Sequence, residues 1–103
     1  MKKQEQTSIN EAVLYHYNKY ISDETQIPYN THRLRPCSAC VYYTDDYIVL
    51  QSYATVIAII DRKTMILYDF LRYVYGYTAT SVQHLAKFRK DYKPVKTYSY
   101  YDV

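Results

Sequence analysis

The sequence predicts a small α+β protein, with an antiparallel β-meander of three to four strands, an N-terminal helix, and a C-terminal helix packed on the sheet; the first helix can cover the other face of the sheet or an edge. Three observations predict this class. Four short runs rich in β-branched and aromatic residues lie between residues 39 and 70, separated by polar turns. Helical apolar spacing occurs on either side of them, near residues 8–21 and 80–92. The length of 103 residues suits one domain, which we expect to span residues 1–103.

The first helix is predicted to begin at Ser8. Ser8 and Glu11 have the spacing of a capping box, in which each side chain bonds a free backbone N–H of the other residue. The apolar positions on one helical face are Ile9, Ala12, Val13, Tyr17 and Tyr20. We expect this face to pack on the domain and the opposite face, with His16 and Lys19, to stay in water. Residues 1–6 are polar and are expected to fray.

An extended connection is predicted for residues 22–36, which contain Pro28 and Pro36 and show no periodicity. A loop of this length is uncommon in so small a domain and often takes part in binding. It can equally be a linker that only joins two elements, and both interpretations stay open.

Four strands are predicted to follow the connection. Their ranges are 39–43, 47–53, 55–60 and 65–70. Asp45 and Asp46 suit the first turn because aspartate bonds its own backbone there, and Asp61 opens a four-residue turn in the same way. The strand at 55–60 is apolar on both faces, which is expected only where both faces are covered or one face meets a partner.

The second helix is predicted at 80–92, where Thr80 and Gln83 repeat the capping-box spacing. Its apolar positions are Val82, Leu85, Ala86, Phe88 and Tyr92, and they should lie across the sheet. Residues 71–78 alternate like a strand but also keep helical spacing, and we expect an irregular aromatic connection. Residues 93–103 form a tyrosine-rich tail, for which an added edge strand and a flexible end from residue 97 both stay open.

Composition points toward binding rather than chemistry. The chain has 16 tyrosines and no tryptophan, and many of these rings should lie half-buried with the hydroxyl at the surface, which suits an interface. A single glycine argues against the glycine-rich loops that bind phosphates. No apolar run approaches the length of about 20 residues that a membrane span needs, and the N-terminus lacks a signal peptide. We therefore expect a cytoplasmic protein with no membrane contact.

A metal site is arithmetically possible but weakly indicated. Cys37 and Cys40 form a CxxC motif, and His32 with a distant His16 or His84 could complete a zinc site. A structural zinc site normally shows two closely spaced ligand pairs, and this sequence has one. We predict two ordinary reduced cysteines, no metal and no cofactor.

Catalytic chemistry has no local signature in this sequence. The three histidines are scattered, so neither a Cys–His nor a Ser–His–Asp arrangement is indicated. His84 falls between Gln83 and Lys87 on the polar side of its helix and is expected in water. We predict no catalytic residue and no enzyme activity.

Basic and aromatic residues concentrate in the C-terminal part of the chain. Residues 1–60 have a net charge of −1 and residues 61–103 a net charge of +4. The predicted partner-binding residues are Arg72, Tyr73, Tyr75, Tyr77, His84, Lys87, Arg89, Lys90 and Lys93. Such a surface suits either single-stranded nucleic acid or a protein interface. Because the charge is modest, we rank a protein partner above nucleic acid, and a homodimer through the tyrosines stays open.

Three short runs within residues 50–92 form a recognisable set. They are Ser52-Tyr53-Ala54-Thr55-Val56-Ile57-Ala58, then Leu67-Tyr68-Asp69-Phe70, then Tyr77-Thr78-Ala79-Thr80-Ser81 followed by His84 and Phe88. Together these runs resemble a family of small phage and mobile-element accessory proteins of Gram-positive bacteria. The resemblance carries over no catalytic residue. It implies a setting in which small proteins block host defences, and hence a non-enzymatic inhibitor of the anti-CRISPR type with a Cas nuclease as a candidate partner.

Overall fold

The computed structural model describes residues 3–34, 38–75 and 79–102, and in it a six-stranded sheet lies between two long helices. The elements are α1 (Lys3–Ser22), β1 (Tyr29–Arg33), β2 (Ala39–Tyr43), β3 (Tyr47–Ser52), β4 (Thr55–Asp61), β5 (Ile66–Asp69), α2 (Leu71–Val74), α3 (Ala79–Tyr92) and β6 (Lys96–Ser99). The strands lie in chain order, and only β5 and β6 are parallel, because α2 and α3 connect them. The α+β class is confirmed, but three to four strands was too few.

The two strands outside the predicted meander lie at opposite edges of the sheet. β1 forms inside the predicted connection 22–36 and pairs antiparallel with β2, with Tyr29 opposite Tyr43 and Arg33 opposite Cys40. All five of its residues are exposed, so it lacks the apolar alternation that marks a half-buried strand. β6 forms inside the tail 93–103, so the edge strand is the alternative observed there.

The first helix begins at Lys3, five residues before the predicted start. The extra turn carries buried Gln6, whose side-chain amide donates to the Asn10 Oδ1 atom at 2.7 Å and to the Ser99 carbonyl at 2.9 Å. The amide of Asn10 donates to the Tyr101 carbonyl at 2.6 Å and accepts from the Tyr101 N–H at 3.1 Å. β6 is an edge strand, so within the described residues the backbone groups on its outer side have no neighbouring strand to pair with. The side-chain amides of Gln6 and Asn10 supply hydrogen bonds to backbone groups of Ser99 and Tyr101 at this edge.

The face of the sheet under α3 is mainly aliphatic. The buried residues of this core are Leu34, Ala39, Val41, Ile48, Leu50, Ile57, Ala58, Ile60, Leu67, Leu71, Leu85 and Phe88. A bulge between β3 and β4 places an extra residue in β4, since Leu50 pairs with Ala58 and the next residue pairs with Val56. Ile57 and Ala58 therefore both belong to this core.

The face under α1, here called the aromatic face, combines aromatic with aliphatic residues. Its buried residues are Val13, Tyr47, Val49, Ile59, Tyr68 and Phe70, with further tyrosines packed around them. His16 belongs to this layer rather than to the water, because its ring stacks on Tyr68 at 4.0 Å and its Nδ1 lies 3.2 Å from the Tyr47 hydroxyl. Burial lowers the pKa of His16. The apolar strand β4 is thus covered on both faces within the chain, and it needs no partner to explain it.

Two details of the C-terminal half also differ from the prediction. Residues Leu71–Val74 form a short helical turn rather than an irregular connection, and residues 76–78 lie outside the described chain. In α3 the buried stripe contains Ser81 and His84, whereas Ala86 is exposed. The polar members of this stripe are buried because each has a hydrogen-bond partner.

Candidate interaction surface

His84, predicted to lie in water, is a core residue only 2% exposed. Its Nδ1 lies 2.7 Å from the Ser52 hydroxyl, which lies 3.0 Å from the hydroxyl of Ser81. Burial lowers the pKa of His84, so the neutral ring predominates at neutral pH. This polar network joins α3 to the end of β3. The prediction of a solvated histidine was wrong, and burial removes His84 from the side chains that a partner can touch.

The Ser52–His84 pair has the distance of a nucleophile and its base. Its setting differs from that of a catalytic pair, because Ser52 is fully buried and the Tyr53 ring lies 5.6 Å from the imidazole. No carboxylate of the described residues hydrogen-bonds the ring to orient it as a base. The arrangement therefore acts as a hydrogen-bonded link within the core.

The basic residues of α3 are divided between an ion pair and open surface. Lys87 is paired with Asp91 at 3.0 Å, one helical turn away. Such exposed pairs contribute about 0.3–0.5 kcal/mol to stability, so this one mainly neutralises charge. Arg89, Lys90 and Lys93 are exposed around the end of the helix. These three residues, close in sequence at the end of α3, are the exposed basic part of the predicted surface.

Arg72 and Tyr73 belong to a second group, here named the tail cluster: Arg72, Tyr73, Tyr17, Tyr100 and Tyr101. The Arg72 guanidinium carbon lies 4.4 Å from the centre of the Tyr101 ring, a cation–π contact. Tyr73 contacts Tyr17 and Tyr100 edge-on, at 5.6 and 5.2 Å. Tyr73 is 49% and Tyr101 44% exposed. The tail cluster is thus a partly open aromatic surface built from α1, α2 and the tail.

The predicted alternation of tyrosines after β5 does not form one strip. Tyr75 is 39% exposed and its hydroxyl donates to the Ser52 carbonyl at 3.4 Å, at the end of β3. Tyr73 faces α1 and the tail instead. Tyr77 lies outside the described residues. The eight predicted residues that the structure describes therefore do not form one surface, and His84 lies in the core.

A third group was not predicted, and we name it the strand-edge cluster: Tyr29, His32, Tyr43, Arg62 and Tyr92. Tyr29 and Tyr43 face each other across the β1–β2 ladder, with ring centres 6.0 Å apart. The Arg62 guanidinium carbon lies 6.0 and 5.4 Å from these two ring centres. Its Nη1 donates to the Tyr29 hydroxyl at 2.5 Å and to the Thr44 carbonyl at 2.7 Å.

The other half of the strand-edge cluster fixes the tautomer of an exposed histidine. The His32 Nδ1 lies 3.1 Å from the Asn30 carbonyl, which can only accept, so Nδ1 carries the proton. The Nε2 then accepts from the Tyr92 hydroxyl at 2.7 Å. Burial raises the pKa of Tyr92 to about 12, which keeps the phenol a neutral donor. The Tyr92 ring also contacts Tyr43 at 6.4 Å, which connects the two halves.

The strand-edge cluster was missed because its members come from β1, β2, a turn and the end of α3. Only the pairing of β1 with β2 brings Tyr29 beside Tyr43. One signal in the sequence points to this region. Residues 27–34 and 38–43 contain no acidic residue, so the two strands can form a surface without negative charge.

Metal-ligating residues do not gather within the described ranges, where no group of three or more His, Cys, Asp or Glu could hold an ion. Cys40 has a free thiol, and Cys37 lies outside those ranges. An open cavity of about 210 Å³ adjoins Cys40 and is lined by Arg33, Ser38, Ala39, Cys40 and Tyr53. Among the described residues that line this cavity, Cys40 is the only His, Cys, Asp or Glu side chain.

Comparison with protein-family models, with curated proteins and with solved structures finds no match for this chain. Within the described residues, no helix has the length and apolar character needed to cross a membrane. Function is therefore inferred from the geometry of the surface, in which two groups of tyrosine and arginine side chains are held in place by contacts within the chain.

Proposed function

We propose that this protein works by binding another protein, without chemistry of its own, and that its partner is a component of a host defence system. A Cas nuclease is the first candidate. The observation that carries the binding role is the presence of two partly exposed tyrosine–arginine groups, the strand-edge cluster and the tail cluster. The partner class follows from the resemblance of residues 50–92 to phage accessory proteins.

Preformed contacts make these groups suitable for binding. Tyrosine and arginine are enriched among the residues that dominate interface affinity. Immobilising a flexible side chain on binding costs about 0.5–1.5 kcal/mol, and this cost falls when the side chain is already held. Arg62 is held by two hydrogen bonds and Tyr73 by two ring contacts. Both clusters can therefore meet a partner with little further ordering.

The test is to mix the purified protein with a panel of Cas nucleases and to follow comigration in size exclusion and inhibition of DNA cleavage. Tyr29→Ala and Tyr73→Ala probe the two clusters, and Tyr15→Ala is the matched control because Tyr15 is 62% exposed outside both. Loss of an interface hot spot costs about 2 kcal/mol or more, so at least one probe should weaken binding roughly 30-fold.

Absence of comigration and inhibition across the panel contradicts the proposed partner class. Equal loss in Tyr15→Ala contradicts the assignment to the clusters. The protein run alone reports its oligomeric state. A dimer that dissociates in Tyr73→Ala would assign the tail cluster to self-association instead.

A small nucleic-acid-binding module is the second candidate, favoured by the three exposed basic residues at the end of α3, Arg89, Lys90 and Lys93. Lys93 directly follows Tyr92, whose ring lies 6.4 Å from that of His32, and cations together with aromatic rings are what single-stranded nucleic acid contacts. Three phosphate contacts predict a slope of about −2 for log affinity against log salt with oligothymidine. Binding that is absent or unaffected by salt contradicts this candidate.

A further inference from the structure

We propose that Arg62 is the residue by which the strand-edge cluster recognises its partner, and that it binds a carboxylate in an acidic segment of the partner protein. This inference rests on the proposed protein-binding function and names the chemistry of the partner. It starts from a side chain that is exposed and yet held in one position.

The hydrogen bonds of Arg62 use one nitrogen and leave the others open. Nη1 has two hydrogens, and these are donated to the Tyr29 hydroxyl and the Thr44 carbonyl. Within the described part of the chain, no acceptor takes a hydrogen bond from Nε or Nη2 of Arg62. Those two nitrogens form the edge of the guanidinium that binds a carboxylate through two parallel hydrogen bonds. The bound edge orients the side chain and the open edge faces a ligand.

The two tyrosine rings support the same orientation. The guanidinium carbon lies 5.4 Å from the centre of the Tyr43 ring and 6.0 Å from that of Tyr29. An arginine on aromatic rings keeps its charge and is weakly hydrated, so contact with an anion displaces little bound water. The rings also offer apolar surface beside the charge. A carboxylate flanked by apolar or extended chain fits this combination.

The charge of Arg62 is not neutralised within the described residues, whose one ion pair within 4.0 Å joins Lys87 and Asp91. The neighbouring carboxylates are engaged locally, since Asp46 accepts from the Gln26 amide at 2.7 Å and Asp61 accepts from the Lys63 N–H at 2.9 Å. The adjoining β1 and β2 carry no acidic residue. An oriented cation without a counter-ion, beside strands without negative charge, favours an acidic ligand.

A protein carboxylate fits this site better than a nucleic-acid backbone. A strand of nucleic acid is held by several cations that follow its phosphates. Arg62 is the only arginine or lysine of the strand-edge cluster, so the cluster offers no series of cations along which a phosphate backbone could lie. One side-on arginine with two tyrosines is the composition of a protein hot spot.

The experiment follows the arginine Nε–H signals of the full chain by ¹H–¹⁵N NMR during titration with hexaglutamate, with oligothymidine of eight nucleotides as the second probe. Hexaglutamate should shift the Arg62 signal saturably. Arg62→Lys keeps the charge but loses the side-on pair of donors, and should weaken hexaglutamate binding at least fivefold. Arg89→Lys is the matched control and should stay within twofold. Tyr29→Phe removes one acceptor but keeps the ring, and should weaken binding about threefold.

Three outcomes overturn the proposal: no saturable shift of the Arg62 signal, an equal loss in Arg89→Lys, or tighter binding of oligothymidine that is lost in Arg62→Lys. The last outcome would assign the site to phosphates. The nuclease panel separates this proposal from the proposed function. If a nuclease binds Arg62→Lys as well as the unchanged protein, the carboxylate contact is wrong and the binding role stands. If hexaglutamate binds at Arg62 and no nuclease comigrates or is inhibited, the carboxylate contact stands and the proposed partner class is wrong.

Discussion

The face of the sheet under α3 is filled by leucine, isoleucine, valine, alanine and one phenylalanine of the helix, whereas the face under α1 combines valine and isoleucine with tyrosine, phenylalanine and histidine. An aliphatic face needs only close packing. An aromatic face made of tyrosine must also give each buried hydroxyl a partner. Tyr20 and Tyr42 meet this need by bonding each other at 2.7 Å, and Tyr47 by its contact with His16.

The difference explains where the binding surfaces lie. Tyrosines at the rim of a core keep the ring inside and the hydroxyl outside. The rim therefore offers apolar ring surface for binding while its hydroxyl groups remain in water. The tail cluster is the rim of the aromatic face, through the contact of Tyr73 with Tyr17. The strand-edge cluster is the rim of the aliphatic face, where Tyr43 and Tyr92 pack against that core. In both cores, partly buried tyrosines therefore lie at the boundary between the buried residues and the surface.

The largest expected effect comes from Phe88→Ala on the aliphatic face. Phe88 is fully buried, and its loss should lower the free energy of unfolding by about 3–5 kcal/mol through lost burial and the cavity left behind. Urea denaturation followed by circular dichroism measures this change. Ala86→Ser, on the exposed side of the same helix, is the control and should change it by less than about 0.5 kcal/mol. Similar losses in both variants would contradict the packing of α3 on this face.

A smaller effect is expected for Tyr47→Phe on the aromatic face. The ring stays, but the His16 Nδ1 loses its partner, which should lower the free energy of unfolding by about 1–2 kcal/mol. The same denaturation experiment measures it. Tyr15→Phe changes an exposed tyrosine next to the same histidine and should have almost no effect. An unchanged stability in Tyr47→Phe would show that the aromatic face needs packing alone.

The smallest effect is expected from mild acid, which acts on both faces. His16 and His84 have pKa values lowered by burial, so the unfolded chain binds protons more readily than the folded one. Stability is therefore full above the unfolded-state pKa of about 6.5 and falls as the pH decreases through 6.5 toward the folded-state values. Unfolding measured between pH 7.5 and pH 5 should show this loss. Substituting His84 by Gln should reduce the pH dependence, and an unchanged profile would contradict its burial.

The class of fold was predictable because it depends on periodicity. The four strands from Ala39 to Asp69 and the helix ending at Tyr92 follow their apolar patterns closely. β1 was not predictable, because an exposed edge strand with the sequence YNTHR has no such pattern. The early start of α1 was also hidden, since Gln6 is buried by hydrogen bonds to Ser99 rather than by apolar character. A hydrophobicity pattern predicts which apolar side chains are buried. It does not predict polar side chains that are buried because they form hydrogen bonds.

For the candidate surface, the sequence predicted the residue types but not which residues lie together. Exposed arginine and lysine at the end of α3 and the partly open Tyr73 follow from the composition of residues 61–103. The polar sequence neighbours of His84 predict an exposed side chain. The hydrogen bond that offsets the desolvation cost of the buried imidazole comes from the Ser52 hydroxyl, 32 positions away in the sequence. Arg62 was assigned to a turn, and nothing near it in the chain signals the two tyrosine rings beside it.

By itself the sequence determined the α+β class, the strands of the meander and a large supply of tyrosine, because backbone periodicity and composition act locally. The tertiary structure decided which tyrosines are core and which are surface, and which arginine gains an oriented side chain. Those properties depend on strand pairing, in which Tyr29 lies opposite Tyr43, and on helix placement, which brings Tyr92 to His32. Contacts between residues far apart in the chain arise only when the sheet forms and the helices cover it.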